Sequence, residues 1–288
     1  MSLDQTRVVR ADQVTERAAF GCIWAAAALT IVTLALIIVV ILGRGLPALS
    51  WDFLVSSPQD MGRAGGILPT IVGTVAIGAL ALLIAAPLGV GTAIYLTEYT
   101  AEGRLTRAIR FGTESLAGVP SIIFGLFGFI FFVTYLRMGW SVLAGGLTLA
   151  LMILPTIIRV SEEAIRTVPR GYRDVSYSLG ATRWQMVTTA VLPSALPGIT
   201  TGIILAFGRA VSETAAVIFT AGTALNLPTT PFAPVRTMAV HFYTLAVEGI
   251  SLQNAYATGA VLIVTILLIN VGANIVLNRL TRRLAPRS

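Results

Sequence analysis

The chain has 288 residues, of which 56% are hydrophobic and only 11% are charged, and its mean hydropathy is +0.84. A water-soluble domain could not present this balance without large exposed apolar patches, so the composition predicts an integral membrane protein. All 20 basic residues are arginine, which gives a net charge of +7 and excludes chemistry that depends on lysine, such as a P-loop lysine or a Schiff base.

The predicted elements are long apolar runs, because a membrane-spanning helix needs about 20 consecutive apolar residues. The windows without charge that meet this length are 18–43, 64–97, 115–136, 138–158, 184–208 and 249–278. The first run is too long for a signal-peptide core and lacks a convincing cleavage site, so we expect it to be retained. The sequence therefore predicts an all-α, polytopic membrane helix bundle with six transmembrane helices.

The arginines fall between the apolar runs and not on one face, which argues against nucleic-acid binding. Fifteen of them lie in the two terminal segments and in the connections between the second and third and between the fourth and fifth runs. Only Arg44, Arg63, Arg137 and Arg236 lie in the other connections. Because cytoplasmic loops carry the excess of arginine, both termini are predicted to be cytoplasmic.

The same pattern divides the chain into a cytoplasmic tail at 1–19, a transmembrane domain at 20–278 with its core at 65–278, and a basic cytoplasmic tail at 279–288. The inner connection at about 161–193 is predicted to be helical. The outer connection at about 222–251 contains three prolines and is predicted to be partly irregular. Pro87 and the segment 118–121 are expected to break or bend the second and third helices.

Two full charges interrupt the fifth apolar run. Residues 196–221 are apolar throughout except for Arg209 and Glu213, so we expect one helix that continues past both and carries them near the middle of the membrane. A central arginine is costly in lipid and normally faces a bundle interior or a water-filled path. The spacing of four predicts a pair between the two side chains, either along a substrate pathway or as a lock between packed helices.

The inner connection predicts an amphipathic helix, a turn at Gly180 and a second helix that re-enters the membrane at Leu192-Pro193. Asp174, Gly180, Leu192 and Pro193 have the spacing of the Glu-Ala-Ala loop of the permease subunits of ABC importers, which this stretch resembles. Val175, Ser176 and Ala190 depart from that pattern. The resemblance implies that the first short helix couples to a cytoplasmic ATPase; a basic helix held only by anionic lipid is the alternative. The residues implied in coupling are Arg173, Asp174, Ser178, Leu179, Gly180, Ala181, Thr182 and Trp184.

Further segments narrow the resemblance. The stretches at 65–74, 118–128, 179–187, 208–222 and 239–249 together are similar to the A-type permease subunits (PstA) of phosphate-specific ABC importers, although Ser212 stands where that family usually has glycine. The resemblance implies the MetI-like permease fold and a multi-pass location in a bacterial or archaeal plasma membrane. It also implies four partners: a second, PstC-like permease subunit, a PstB-like ATPase dimer, an extracytoplasmic PstS-like phosphate-binding protein and phosphate itself. The resemblance further implies that Arg209 and Glu213 lie on the substrate pathway.

Other functions remain as alternatives. A sulfate or molybdate permease would share the architecture, because one arginine cannot separate tetrahedral oxyanions. An ion-coupled secondary transporter would need more ionisable groups in the membrane and an inverted repeat. We predict no catalytic residue, no metal site and no cofactor, because the sequence has no HExxH motif and no Ser-His pair. Arg236 is considered for docking a binding protein, and His241 is expected to be a packing residue.

Overall fold

The computed structural model describes residues 3–284. The helices are α1 (Leu3–Gly45), α2 (Trp51–Val55), α3 (Leu68–Ile94), α4 (Arg104–Ala117), α5 (Ser121–Gly128), α6 (Val142–Arg166), α7 (Arg170–Ser178), α8 (Arg183–Met186), α9 (Leu192–Val211), α10 (Ala215–Thr220), α11 (Met238–Val247) and α12 (Leu252–Leu284). Two short strands, β1 (Pro58–Gln59) and β2 (Ala64–Gly65), pair antiparallel between α2 and α3. The all-α prediction is confirmed.

Within residues 3–284, five helices are long and apolar enough to cross a membrane. They cover Ala19–Ala48, Leu68–Tyr99, Val142–Arg166, Arg183–Val211 and Leu252–Gly272. The bent pair Arg104–Ala117 and Ser121–Tyr135 brings the number to six if it is counted as one span. Five of the six predicted windows therefore coincide with single helices.

The remaining window, 115–136, is not one straight span. Its first residues belong to α4, and the chain turns by 101° before Ser121–Tyr135 begins. The break was expected at 118–121, because Pro120 has no N–H to continue α4 and restricts the backbone of Val119. Pro87, by contrast, does not interrupt its helix, since α3 continues from Leu68 to Ile94.

The core lies where α3, α6 and α9 pack together. Ile77, Ala81, Ile153 and Ala206 are almost completely buried there. Small residues bring the backbones close: a β-carbon built on Gly202 would lie only 2.7 Å from Val160 Cγ1. A glycine here thus brings two helices together, which matters where lipid supplies no hydrophobic drive between them.

The segments predicted to share one side of the membrane meet at one end of the bundle. At the inner end, Arg110 from the connection after α3 pairs with Glu162 of α6. At the outer end, Arg44 lies within hydrogen-bond distance of Tyr256. The predicted tail at 1–19 is continuous with the first span, since α1 begins at Leu3. Residues 285–288 of the predicted basic tail lie outside the described residues.

Candidate functional site

Arg209 lies at about half the height of the bundle. α6 and α9 run antiparallel, with Gly198 opposite Ala164 and Gly202 opposite Val160. Seven residues further along both helices, Arg209 is level with Ile153, close to the midpoint of α6. With a rise of about 1.5 Å per residue, each end of α6 is roughly 15 to 20 Å away.

The exposed face of α9 is polar. Ala206 and Ala210 are buried, whereas Arg209 is exposed on an adjoining face of the helix. The other exposed positions of α9 and its C-cap are Ser194, Thr201, Leu205 and Ser212, which recur at helical spacing on the same face. We call these five residues the α9 stripe. Its hydroxyl groups donate to carbonyl groups one turn back, as in the 2.9 Å bond from Thr201 to Pro197.

The predicted single helix over 196–221 is wrong. α9 ends at Val211, and α10 begins only at Ala215. Among the described residues, no ion pair joins Arg209 to Glu213, so the predicted pairing is wrong as well. The carboxylate of Glu213 instead accepts a 3.3 Å hydrogen bond from the N–H of Ala216. A free N–H at a helix start favours a negative charge, which is why Glu213 turns towards α10.

Close packing against α5 fixes the displaced segment α10. A β-carbon on Gly125 would lie 2.9 Å from Ala216 Cα, and one on Gly128 would lie 2.7 Å from Thr220 Cγ2. Two glycines one turn apart therefore admit α10 against the backbone of α5. The result is that Arg209 stands at the end of one helix, beside a break in the chain.

The inner connection forms the predicted helical hairpin. After α7, Gly180 has a φ of +79°, a conformation that favours glycine, and the N–H of Ala181 donates to Ser176 O at 3.1 Å. Thr182 and Gln185 then form a reciprocal capping box at the start of α8. We call Arg170–Met186 the inner hairpin. The turn predicted at Gly180 is confirmed.

Most of the predicted coupling residues lie on the surface of the inner hairpin. Val175, Leu179 and Trp184 are 61%, 83% and 65% exposed, so apolar side chains point away from the protein. Asp174, Ser178, Gly180 and Thr182 are exposed too, and Ala181 is half-buried. Arg173 differs, because its guanidinium turns inward to the carboxylate of Glu98. The predicted set therefore divides into an exposed apolar surface and one internal ion pair.

A second ionic cluster, whose partners the sequence did not reveal, lies beside the inner hairpin. Arg110 contacts Glu102 and Glu162, each at 2.7 Å, and Arg166 contacts Glu162 at 2.8 Å. The hydrogen bond from Arg110 lowers the pKa of Glu102, and the nearby positive charges add to this effect. Four charged residues thus connect α4 and its preceding loop to the end of α6. The only sequence signal was that acidic and basic residues share the inner segments.

The outer connection holds a buried polar pair. Arg236 was considered for docking a binding protein, but it is only 6% exposed and donates to Thr223 O at 3.0 Å. The Nη1 atom of Arg236 lies 3.3 Å from His241 Nδ1, and His241 is itself buried. Burial lowers the pKa of His241 to about 4, and the positive charge of Arg236 adds to the effect. The packing role expected for His241 is confirmed, and Arg236 is not a surface group.

Residues 3–284 contain no group of three or more His, Cys, Asp or Glu side chains placed to hold a metal ion. Cys22, the single cysteine, lies exposed on α1.

Comparison with known proteins gives concordant matches. The profile of the family described as "Binding-protein-dependent transport system inner membrane component" matches residues 85–286. The probable ABC transporter permease protein YqgI of Bacillus subtilis is 35% identical over 91% of this chain and 94% of its own length. The phosphate transport system permease protein PstA of Pasteurella multocida is 31% identical over 89% of both chains. A solved chain of the MetNI methionine ABC transporter in an inward-facing conformation has a TM-score of 0.65 at 18% identity, covering 75% of this chain and 96% of its own.

Proposed function

The chain belongs to the family of binding-protein-dependent transport system inner membrane components, and from that premise we propose that it is a permease subunit of an ATP-driven importer of inorganic phosphate. In this role it forms half of a translocation pathway across the plasma membrane. The likeness to a PstA protein over most of both chains supports phosphate as the substrate. The observation that carries the proposal is the position of Arg209, an exposed guanidinium at mid-height on the polar α9 stripe.

The chemistry of Arg209 suits a phosphate pathway. A guanidinium stays charged at any physiological pH and presents a planar set of donors that can hold two phosphate oxygens at once. An exposed arginine at mid-depth is costly against lipid, so the α9 stripe is better covered by the partner permease or by water. Phosphate moving between the two permease subunits would meet this group.

Glu213 complements Arg209 on the other side of the helix break. Its carboxylate caps α10 and so fixes where the second segment begins. In the proposal, this negative charge close to the pathway keeps an anion from being held too tightly, which allows release. The alternative is that both charged residues serve only helix packing and assembly.

In the proposal, the inner hairpin supplies the contact with the ATPase. Val175, Leu179 and Trp184 form an exposed apolar surface on a short helix-turn-helix that projects from the membrane domain. In the proposal this surface seats in a cytoplasmic ATPase dimer, and Asp174, Ser178 and Gly180 to Thr182 line the same contact. A second permease subunit and an extracytoplasmic phosphate-binding protein complete the importer.

Uptake by the reconstituted complex tests both the energy source and the substrate. Proteoliposomes that contain this chain with its permease partner, ATPase and binding protein should accumulate labelled phosphate only when ATP is present on the side of the membrane where the ATPase lies. Unlabelled phosphate should compete, whereas sulfate should not. Competition by sulfate or molybdate would favour another oxyanion, and uptake without the ATPase that follows an ion gradient would favour a secondary transporter.

Charge reversal tests the role of Arg209 within that assay. Arg209→Glu should abolish phosphate uptake in a complex that still assembles and hydrolyses ATP, because the anion would meet a negative charge. Leu205→Ala on the same stripe is the matched control and should transport normally. Unchanged uptake in Arg209→Glu would disprove the pathway role, and loss of assembly would favour the packing role.

A further inference from the structure

Two arginines of the inner hairpin contact one turn at the inner end of the second span. This turn, Tyr95–Tyr99, follows α3 directly and has the wide hydrogen bonding of a π-helix. Arg173 of α7 pairs with Glu98. Arg183, the first residue of α8, places its guanidinium carbon 5.7 Å from the centre of the Tyr99 ring. Both arms of the hairpin therefore attach to neighbouring residues of the same turn.

The contacts of Arg173 join three elements. Its Nε atom donates to both carboxylate oxygens of Glu98, at 3.1 and 3.2 Å, and Nη2 donates to the nearer of them. The terminal nitrogens also donate to Val168 O at 2.8 Å and Ile165 O at 3.1 Å. The side chain of Glu98 is only 6% exposed. One guanidinium thus fixes α7 to the inner ends of both α3 and α6.

The rest of α7 is weakly attached. No residue of α7 is buried, and its apolar side chains point outward. A cleft of about 550 Å³ lies between α7 and the loop that leads from α3 to α4, and it is lined on the two sides by Tyr177 and Thr100. A short helix beside an open cleft could shift without disturbing α3 if it had no specific bond across the gap.

We propose that the Arg173–Glu98 pair, assisted by Arg183 on Tyr99, is the tie through which displacement of the inner hairpin moves the second span. Glu98 and Arg173 are then positioning residues for transport and do not contact substrate. A charge-assisted, multidentate contact suits this task because it is directional and strong where water is excluded. The inference rests on the proposed function, since the displacing force would come from an ATPase seated on the inner hairpin.

The test is the amount of phosphate transported per ATP hydrolysed, measured in the same proteoliposomes with the complete complex. Glu98→Gln and Arg173→Gln should lower this ratio about tenfold while ATP hydrolysis continues, because the motor would move the hairpin without the span. Arg107→Gln, which changes an exposed arginine of α4 outside the inner hairpin, is the control and should keep the ratio of the unaltered complex. Combining Glu98→Arg with Arg173→Glu should raise the ratio above that of either single exchange.

The outcomes separate this inference from the proposed function. An assembled Glu98→Gln or Arg173→Gln complex with an unchanged ratio would overturn the tie. The tie would also be overturned if both single variants failed to assemble and the charge swap did not restore assembly. That result is expected of a pair whose role is purely structural. Failure of the unaltered complex to take up phosphate with ATP would contradict the proposed function instead.

Discussion

Two helices expose much of their surface in the single chain, and the surfaces differ in kind. α1 is exposed at nearly every position of its apolar stretch, which carries no charged residue between Ala19 and Val40. α9 exposes only the α9 stripe, which holds Arg209 and three hydroxyl side chains. Leu34 on α1 and Leu205 on α9 are equally open, at 58% and 60%.

The difference shows what each surface needs in a membrane. Acyl chains can cover the surface of α1 at no cost, because they match its side chains. They cannot cover a guanidinium at mid-height without a penalty of about 3 kcal/mol or more. Equal exposure in one chain therefore corresponds to two environments in the assembled protein: lipid around α1, and protein or water around the α9 stripe.

The largest expected effect comes from adding a charge to each surface. Leu34→Arg should reduce the amount of chain inserted in the membrane, because about 3 kcal/mol is added in lipid, a factor on the order of a hundred in the equilibrium constant for inserting α1. Leu205→Arg should insert nearly as well as the unaltered chain when the partner permease is co-expressed. Quantifying the tagged chain in washed membranes measures both. Equal loss in the two variants would contradict the idea that the two surfaces have different environments. Leu34→Ala and Leu205→Ala control for the loss of the leucine side chain.

The second-largest effect concerns Arg236, a cation whose hydrogen-bond partners lie within the chain itself. Arg236 donates to His241, so Nδ1 must be the unprotonated acceptor and the neutral ring is the folded form. The folded pKa of about 4 lies below the ordinary value of 6.5. The stabilisation is therefore complete above pH 6.5 and is lost as the pH falls towards 4, by up to about 3 kcal/mol.

Thermal unfolding in detergent at pH 7 and pH 4.5 measures this loss. His241→Gln keeps an acceptor for Arg236 but does not titrate, so its unfolding temperature should fall less between the two pH values. The same fall in both proteins would assign the pH dependence to other groups.

Hydropathy found the spans but could not find the break beside Arg209. Residues 212–214 are polar but include no proline or glycine that would mark a helix end, and the helix ends there because α10 packs onto Gly125 and Gly128 of α5. Those glycines lie about ninety residues earlier in the chain. The bend near Pro120 was predictable because proline acts on its own neighbours and needs no distant partner.

The candidate site divides in the same way. Gly180 and the spacing up to Pro193 predicted the inner hairpin correctly, since a turn and its caps are local. The inward direction of Arg173 was not predictable, because its partner Glu98 lies 75 residues away. Arg236 was misplaced for the same reason, its acceptor at Thr223 being part of an irregular loop.

The third prediction concerns stability and the buried side of α9. Over most of its length α1 has no such buried side. Gly202→Val should destabilise the chain by about 2 kcal/mol, because the added carbons would overlap Val160. Gly21→Val on α1 is the matched control, since nothing lies within 4 Å of its β-position. Unfolding temperatures in detergent compare the two variants. Val160→Ala should restore part of the loss at Gly202, whereas equal effects at both glycines would assign the loss to helix propensity.

The smallest effect, and the most direct measure of environment, is the reactivity of a thiol placed on each surface. In a Cys22→Ser background, Leu205→Cys should react with a small water-soluble thiol reagent about tenfold faster than Leu34→Cys, because only a hydrated thiol ionises readily. The complex must be assembled and turning over, so that any water-filled passage opens. Added phosphate should slow the reaction at Leu205→Cys only, since the anion would occupy the neighbourhood of Arg209. Equal rates at the two positions would mean that both leucines lie in lipid, and the passage would then have to run along a face other than the α9 stripe.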